Sequence, residues 1–218
     1  ILLINAPEKA CGKTQWRTVV GELVLGALQS AGISPAAVYR VIEKYRPTLL
    51  VDEIETVLRD NEELRGLFNA GHSRDSALVV RCVGDDFEPT AFRVFGFKAV
   101  AGINADRLAE TVTSRAVVVQ LRRKLPGENA DRLRAVDPGL FADLRAKLAR
   151  WASDHTETIR TARPVLPDAL GDRDQDNWEP LLAVADAVGD QWGDKARAAV
   201  LTLCGQAGDA RRSAGAEL

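Results

Sequence analysis

The chain has 218 residues, 46% hydrophobic and 28% charged, with a net charge of −2. That is length enough for one packed core with a small appendage, and the composition excludes a disordered, collagen-like or strongly basic chain. No apolar run approaches the roughly 18 residues that a membrane span requires, so no membrane partner is expected.

Ile1–Ile4 is an uninterrupted apolar run, as expected of a buried parallel strand. It reads as the middle of a strand, and the chain holds no methionine, so a fragment of a longer protein is expected. A loop follows, and then Thr14 to about Leu25 reads as a helix. No clear strand is legible between Leu25 and Ile33. Ser34 is an N-cap with Pro35 at the first helical position, and Val38, Val41, Ile42 and Tyr45 fall on one face of the helix that Pro47 ends. TLLVDE is a second buried strand, and ETVLRDNEELRGLFNAG is helical, closed by Gly71. ALVVRCV and TAFRVFGF form a hairpin around the turn GDDFEP. KAVAGIN and RAVVVQL are further strands, separated by the short helix DRLAETVTS.

After Leu125 the pattern turns helical: ADLRAKLARWASDHTETIR, WEPLLAVADAVG and KARAAVLTLCG, with ARPVLPDALGDRDQDN as a connecting loop. The expected architecture is α/β, a parallel sheet flanked by helices with a β-hairpin insertion and a C-terminal helical lid. The expected divisions are 1–125 for the sheet domain, 126–205 for the lid and 206–218 for a disordered tail. Charge is uneven: residues 115–150 hold nine Lys/Arg against four Asp/Glu, and 151–218 seven against twelve. The first excess most simply marks a solvated helix face. Cys11, Cys82 and Cys204 lie far apart with no metal-ligand spacing, which fits reduced thiols in a cytoplasmic protein, and His72 and His155 have no ligand neighbours that would make a zinc site.

The stretch APEKACGKT, Ala6 to Thr14, approaches the phosphate-loop pattern G-x-x-x-x-G-K-[ST], with Pro7 in place of the first glycine. A phosphate calls for converging backbone N–H groups and the positive end of a helix. The segment Pro7, Glu8, Lys9, Ala10, Cys11, Gly12, Lys13 and Thr14 is therefore the candidate nucleotide loop. Gly12 permits close backbone approach, Lys13 can reach the β- and γ-phosphates, and the Thr14 hydroxyl can ligate Mg²⁺. Pro7 removes one N–H, but the donors that matter come from the Lys9–Thr14 segment.

LLVDE places Asp52 and Glu53 at the carboxyl end of a strand, the end where open α/β sheets bind ligands. Asp52 is the expected Mg²⁺ ligand with Thr14, and Glu53 the group that orients an attacking water. A water-activating carboxylate favours ATP hydrolysis over phosphoryl transfer to a metabolite. Asn104, ending AVAGIN, can touch the γ-phosphate or the water, and Arg115, before RAVVVQL, can act on a neighbour's γ-phosphate. The plain alternatives are a turn-forming Asn and a surface ion pair.

In chain order, APEKACGKT, YRPTLLVDEIET, LRDNEELRGLFNAGHSRDSALVVR, FKAVAGI, TVTSRAVVVQLRRK, RDQDNWEPLLAVADAVGDQW and KARAA resemble the family catalogued as domain of unknown function 3631. Its members are P-loop ATPases of bacteria, phages and mobile elements, often attached to primase-like domains. The likeness runs to about Cys204, includes Pro7, and departs at Glu55, where the family has Asp. More distantly, the order from loop to Arg115 resembles AAA+ ATPases and superfamily-three helicases. This implies a P-loop NTPase sheet of order 5-1-4-3-2 with a helical lid. It also implies Walker A at Lys13 and Thr14, Walker B at Asp52 and Glu53, sensor one at Asn104, the arginine finger at Arg115, and a nucleotide-binding sensor two at Arg197. By the same likeness the hairpin would touch single-stranded DNA through Arg74, Arg81 and Arg93, beside His72; an edge hairpin with ordinary guarding charges is the alternative. The expectation is an oligomeric, Mg²⁺-dependent ATPase, helicase-like, in DNA replication or mobile-element maintenance. A nucleotide-gated binding switch is the second reading and a small-molecule kinase the third.

Overall fold

The computed structural model describes residues 1–30, 33–59, 61–105 and 108–215, with the backbone alone at Pro138 and at 206–215. Along the chain come β1 (Leu2–Ala6), α1 (Lys13–Leu23), β2 (Ala27–Ser30), α2 (Pro35–Tyr45), β3 (Thr48–Val51), α3 (Ile54–Leu58) and α4 (Glu62–Ala70). Next are β4 (Leu78–Val83), β5 (Glu88–Arg93), β6 (Lys98–Ile103), α5 (Glu110–Thr113) and β7 (Val117–Gln120). A 3-10 turn at Leu133–Ala135 leads into α6 (Pro138–Thr161), α7 (Asp172–Val188) and α8 (Trp192–Gly215).

Five strands form one parallel sheet in the order β2-β3-β6-β1-β7, and β4 and β5 pair antiparallel as a separate ribbon. With the ribbon set aside, the order from the β7 edge is fifth, first, fourth, third, second, the order the resemblance implies. The chain crosses from β1 to β2 in one direction and returns in the other through β3, β6 and β7. Right-handed crossovers then place α1 on one face and α2 to α5 on the opposite face. The main apolar cluster agrees: it joins Val38, Tyr39, Ile42, Leu64, Phe68 and Val112 to Leu49, Val51 and Val100 of the strands and contains no α1 residue.

Local chemistry explains the element ends. Ser34 caps α2, its Oγ accepting from Ala37 N at 3.3 Å, with Pro35 in the first turn as expected. Several elements differ from expectation. A second strand is present: β2 is only ALQS, partly buried and without a β-branched residue, so its periodicity is silent. The helix expected from Glu55 to Ala70, closed by Gly71, is two helices, because Asn61 starts a new one by accepting from Leu64 N at 3.0 Å. Finally, α7 begins at Asp172, inside the expected connecting loop, and α8 is helical to Gly215, across most of the expected tail. Residues 216–218 of that tail lie outside the described residues.

The helical part rests on the sheet edge through Val117 of β7, Leu170, Trp178 of α7 and Val200 of α8. Among the described residues no helix is long and apolar enough to cross a membrane. Cys11 and Cys82 are free thiols.

Lys98 is a buried charge that the sequence does not flag. It is 4% exposed, and its Nζ donates to the carbonyls of Gly71 at 3.0 Å and Gly96 at 2.9 Å. Burial lowers its pKa to about 8 from 10.5. Between these values the unfolded chain holds a proton that the folded chain has lost, so folding stability rises with pH across that window. The whole rise is on the order of 3 kcal/mol, at about 1.4 kcal/mol per unit. Urea denaturation at pH 7.5 and 10.5 checks it; Lys98→Met is expected to remove most of this slope.

Candidate functional site

At the carboxyl end of β1 the chain makes the loop Pro7–Gly12 and enters α1. Ala10 (φ 64°) and Gly12 (φ 89°) both take left-handed backbone, which turns successive N–H groups inward around the helix start. Gly12 is the N-cap of α1; no side chain caps the helix, and no acid lies in its first turn. The first helical bond is Trp16 N to Gly12 O at 2.9 Å, so the preceding N–H groups of the turn are left for a ligand or water. Pro7, Glu8, Lys9 and Ala10 are exposed, Lys13 is half-buried and Thr14 is exposed. Cys11 is buried, its Sγ 3.9 Å from the Lys9 carbonyl.

The second half of the site comes from β3. Asp52 Oδ1 accepts from Glu53 N at 3.0 Å, and Oδ2 lies 3.4 Å from Arg17 Nη1. Arg17 sits one turn after Lys13 on α1, so this ion pair fastens the acidic strand end to the helix that carries Lys13 and Thr14. The strand register puts them at one level: Val51 is opposite Val100 and Ile4 opposite Ala101. Glu53 is exposed with φ 50°, and its carbonyl opens α3 by accepting from Thr56 N at 2.8 Å. Asn104, at the end of β6, is also exposed with φ 50°, and its N–H donates to Ala6 O at 3.0 Å. Left-handed non-glycine residues at two adjacent strand ends are uncommon and concentrate where a site is built.

The donor set fits a magnesium–nucleotide better than a bare metal. Among the described residues no three His, Cys, Asp or Glu groups could hold an ion by themselves. Mg²⁺ ordinarily takes one or two protein oxygens and completes its shell with water and substrate phosphate, which is what Thr14 and Asp52 could offer.

The other candidates lie elsewhere. Arg115 precedes β7 at the amino edge of the sheet, where Val117 N bonds to Ile1 O at 2.9 Å, and its Nη1 donates to Thr111 O at 2.7 Å. The loop is at the opposite, carboxyl edge, so Arg115 does not join its own chain's site. Arg197 forks onto Asp186 at 2.7 and 2.8 Å, and its Nε donates to Val165 O at 3.0 Å. These bonds hold the Asp186 carboxyl below the usual range, and they commit the guanidinium within the helical part instead of to the loop.

The hairpin carries both signs of charge. Arg81 pairs with Glu63 at 2.9 Å and Arg74 lies 4.6 Å over the Phe95 ring, while Arg93 is exposed and its backbone N–H is taken by Glu43. Its turn carries Asp85, Asp86 and Glu88. His72 Nε2 meets Asn177 Oδ1 at 2.8 Å and Asn177 Nδ2 donates to Ser114 O at 3.1 Å, tying the turn after α4 and the end of α5 to α7; burial lowers the His72 pKa.

Five residues at the site had no role assigned to them from the sequence. Arg17 holds Asp52. Arg123 braces the loop, 3.2 Å from Glu8 and donating to Lys9 O at 3.4 Å. Arg132 and Arg134 line a cleft of about 400 Å³ with Thr14, Gln15 and Thr18. Glu55 Oε1 accepts from Ile103 N at 3.2 Å, where β3 has ended and β6 continues, while its Oε2 is buried without a partner. Only the basic cluster after RAVVVQL gave a sequence signal, as the charge excess of 115–150.

A family model matches the C-terminal part of the chain. The family described as "Protein of unknown function (DUF3631)" matches residues 120–218. The match takes in Arg197 and α6 to α8 but none of Lys13, Thr14, Asp52, Glu53, Asn104 and Arg115, so the likeness expected over nearly the whole chain is shown for this part. The "Uncharacterized 28.9 kDa protein in xis 5'region" of Saccharopolyspora erythraea is 37% identical over 90 residues, 41% of this chain and 34% of that protein. The chain thus spans about a third of the length of the curated relative it matches.

Proposed function

We propose that the protein is a P-loop ATPase of the AAA+ kind that binds ATP with Mg²⁺ and hydrolyses it. One observation carries this reading: an uncapped helix start bearing Lys13 and Thr14, joined to Asp52 from another strand by the Arg17–Asp52 pair at 3.4 Å. In this reading the loop N–H groups and Lys13 bind the β- and γ-phosphates. Thr14 and Asp52 hold Mg²⁺, whose charge offsets that of the phosphates. Glu53 takes a proton from the attacking water, and Asn104 orients that water. Arg115 faces away from its own loop, so a role in the reaction is a role at a second copy's nucleotide, and a homo-oligomer follows. The charge of the hairpin gives no support to DNA contact there, and a helicase-like or replication role rests on the resemblance alone.

A second reading has its own support. Asp52 is already paired with Arg17, and a carboxylate so engaged suits a nucleotide-gated switch that turns over slowly. Fluorescent-ATP binding and phosphate release, measured on the same samples, separate the two. Glu53→Gln is expected to bind Mg·ATP within about twofold of the parent, since binding that precedes the transition state is untouched. Its turnover is expected to fall by about 10²-fold or more, the usual contribution of a general base. A parent protein that binds without turnover establishes the switch; one that does neither removes both readings.

A further inference from the structure

In the proposed reading the loop holds a triphosphate, and a nucleotide must also find a place for its sugar and base. The sheet order fixes the side on which that place lies. β1 stands between β6 and β7. On the β6 side are Asp52, Glu53 and Asn104, the groups assigned to Mg²⁺ and to the attacking water, so the γ-phosphate belongs there. The nucleoside end then belongs on the β7 side, where the chain leaves the sheet after Gln120 and runs past the loop. Arg123 marks that path, 3.2 Å from Glu8 and donating to Lys9 O at 3.4 Å.

The first turns of α1 divide in the same way. Lys13 lies one turn before Arg17, on the face that meets Asp52. Thr14 and Thr18 form the next row, about 100° around the helix, and the Thr18 hydroxyl donates to Thr14 O at 2.9 Å. This row and Gln15 make one wall of the cleft of about 400 Å³, and the 3-10 turn makes the other with Arg132, Leu133 and Arg134. Clefts that hold small ligands ordinarily measure about 300–1,000 Å³.

The lining is chemically one-sided. Among the described residues no acid lines the cleft. Of the two acids that flank the turn in the chain, Asp131 and Asp137, the second caps α6 by accepting from Gly139 N at 2.9 Å. The other arginines from Arg122 to Arg150 are engaged: Arg122 with Glu128, Arg123 with Glu8, Arg145 with Glu22 O and Arg150 with Asp154. Among the described residues neither Arg132 nor Arg134 has a hydrogen bond or an ion pair. A guanidinium is planar and weakly hydrated, and it stacks on a flat π-system as well as pairing with an anion.

We propose that the cleft between α1 and the 3-10 turn seats the sugar and base of the nucleotide, with Arg132 and Arg134 stacking on the base, and that this seat accepts any of the common bases. The inference rests on the proposed nucleotide reading and widens its substrate to nucleoside triphosphates as a class. Base tolerance follows from exposure. A site discriminates strongly when the wrong partner leaves its buried polar groups unpaired. Here Thr14, Gln15, Arg132 and Arg134 are all exposed. Water therefore replaces any hydrogen bond that a given base fails to make, while stacking serves every base.

Calorimetric titration of the chain with the Mg²⁺ complexes of ATP, GTP, CTP and tripolyphosphate tests it. The three nucleotides are expected to bind within about tenfold of one another, and each about tenfold or more tighter than tripolyphosphate. Arg132→Lys/Arg134→Lys keeps the charge and loses the planar surfaces. It is expected to weaken all three nucleotides by about tenfold and tripolyphosphate by less than about twofold. Circular dichroism controls for folding, and the comparison of ligands on the parent needs no variant. Nucleotides that bind no tighter than tripolyphosphate, a preference of more than about tenfold for one base, or a lysine variant that binds nucleotides as the parent does would each overturn the inference and leave the loop reading standing. A parent that binds neither tripolyphosphate nor any nucleotide removes the loop reading itself.

Discussion

On the proposed ATPase reading, Lys13→Ala is expected to weaken ATP binding and turnover together. The half-buried lysine begins the helix that follows β1, and neither a capping side chain nor an acid in the first turn competes for its field. In the proposed reading its ammonium, at the start of that helix, meets the triphosphate. Hydrogen bonds to charged groups contribute about 1.5–3 kcal/mol each, so affinity is expected to fall roughly ten- to a hundredfold from one such contact. Turnover falls further, by about 10²–10³-fold, because charge develops on the transferred phosphoryl group and the ammonium stabilises it there. Isothermal calorimetry with Mg·ATP and a phosphate-release assay measure the two effects. Thermal stability should stay near that of the parent, since the side chain has no buried partner to lose. A variant that binds ATP as the parent does removes the loop from the site, and with it the enzymatic reading.

How much of this was legible follows from where each residue's partner lies. Lys13, Thr14, Asp52, Glu53 and Asn104 announce themselves because strand ends and loop patterns are local features, and parallel pairing carries them to one edge. The apolar runs of β1, β3, β6 and β7 were equally plain. ALQS was not, because a four-residue edge strand that is only partly buried has no pattern to show. The division between α3 and α4 turns on a single cap at Asn61, which competes with a continuous run of helix formers. The roles of Arg17, Glu55, Arg123 and Lys98 were invisible for a different reason: each acquires meaning from a partner between two strands or layers, at 35 residues' distance from Arg17 to Asp52 and further for Arg123 and Glu8. The hairpin shows the limit from the other side. Its strands were readable, and the acids of GDDFEP were in view, yet its arginines read as free until Glu63 and Phe95 were seen to hold two of them.

Gly102→Ala is expected to destabilise the fold and disturb the site through one carboxylate. Gly102 lies in β6, opposite Asn5 of β1 and two residues before Asn104. A Cβ there would lie inside permissible contact with Glu55 Oε2, 2.8 Å from the Ala105 Cβ and 3.1 Å from Ile54 Cγ2. The carboxylate cannot simply swing away, because Oε1 accepts from Ile103 N at 3.2 Å and the retreat would leave that N–H without its acceptor. Overpacking of this kind costs about 1–3 kcal/mol. The cost belongs largely to Glu55, and a double-mutant cycle can show it. In the Glu55→Ala background the penalty for Gly102→Ala should shrink by about 1 kcal/mol or more, since residues in contact couple by about 0.5–3 kcal/mol. The part that remains is the contact with Ala105. Chemical denaturation of the four proteins gives the coupling, and additive effects would show that Glu55 is not the obstacle. The same wedge sets the backbone from which Asn104 projects, with its φ of 50°, so any turnover should fall in Gly102→Ala by more than nucleotide affinity does. Affinity depends on the loop across β1, whereas Asn104 acts, in the proposed reading, on the water alone.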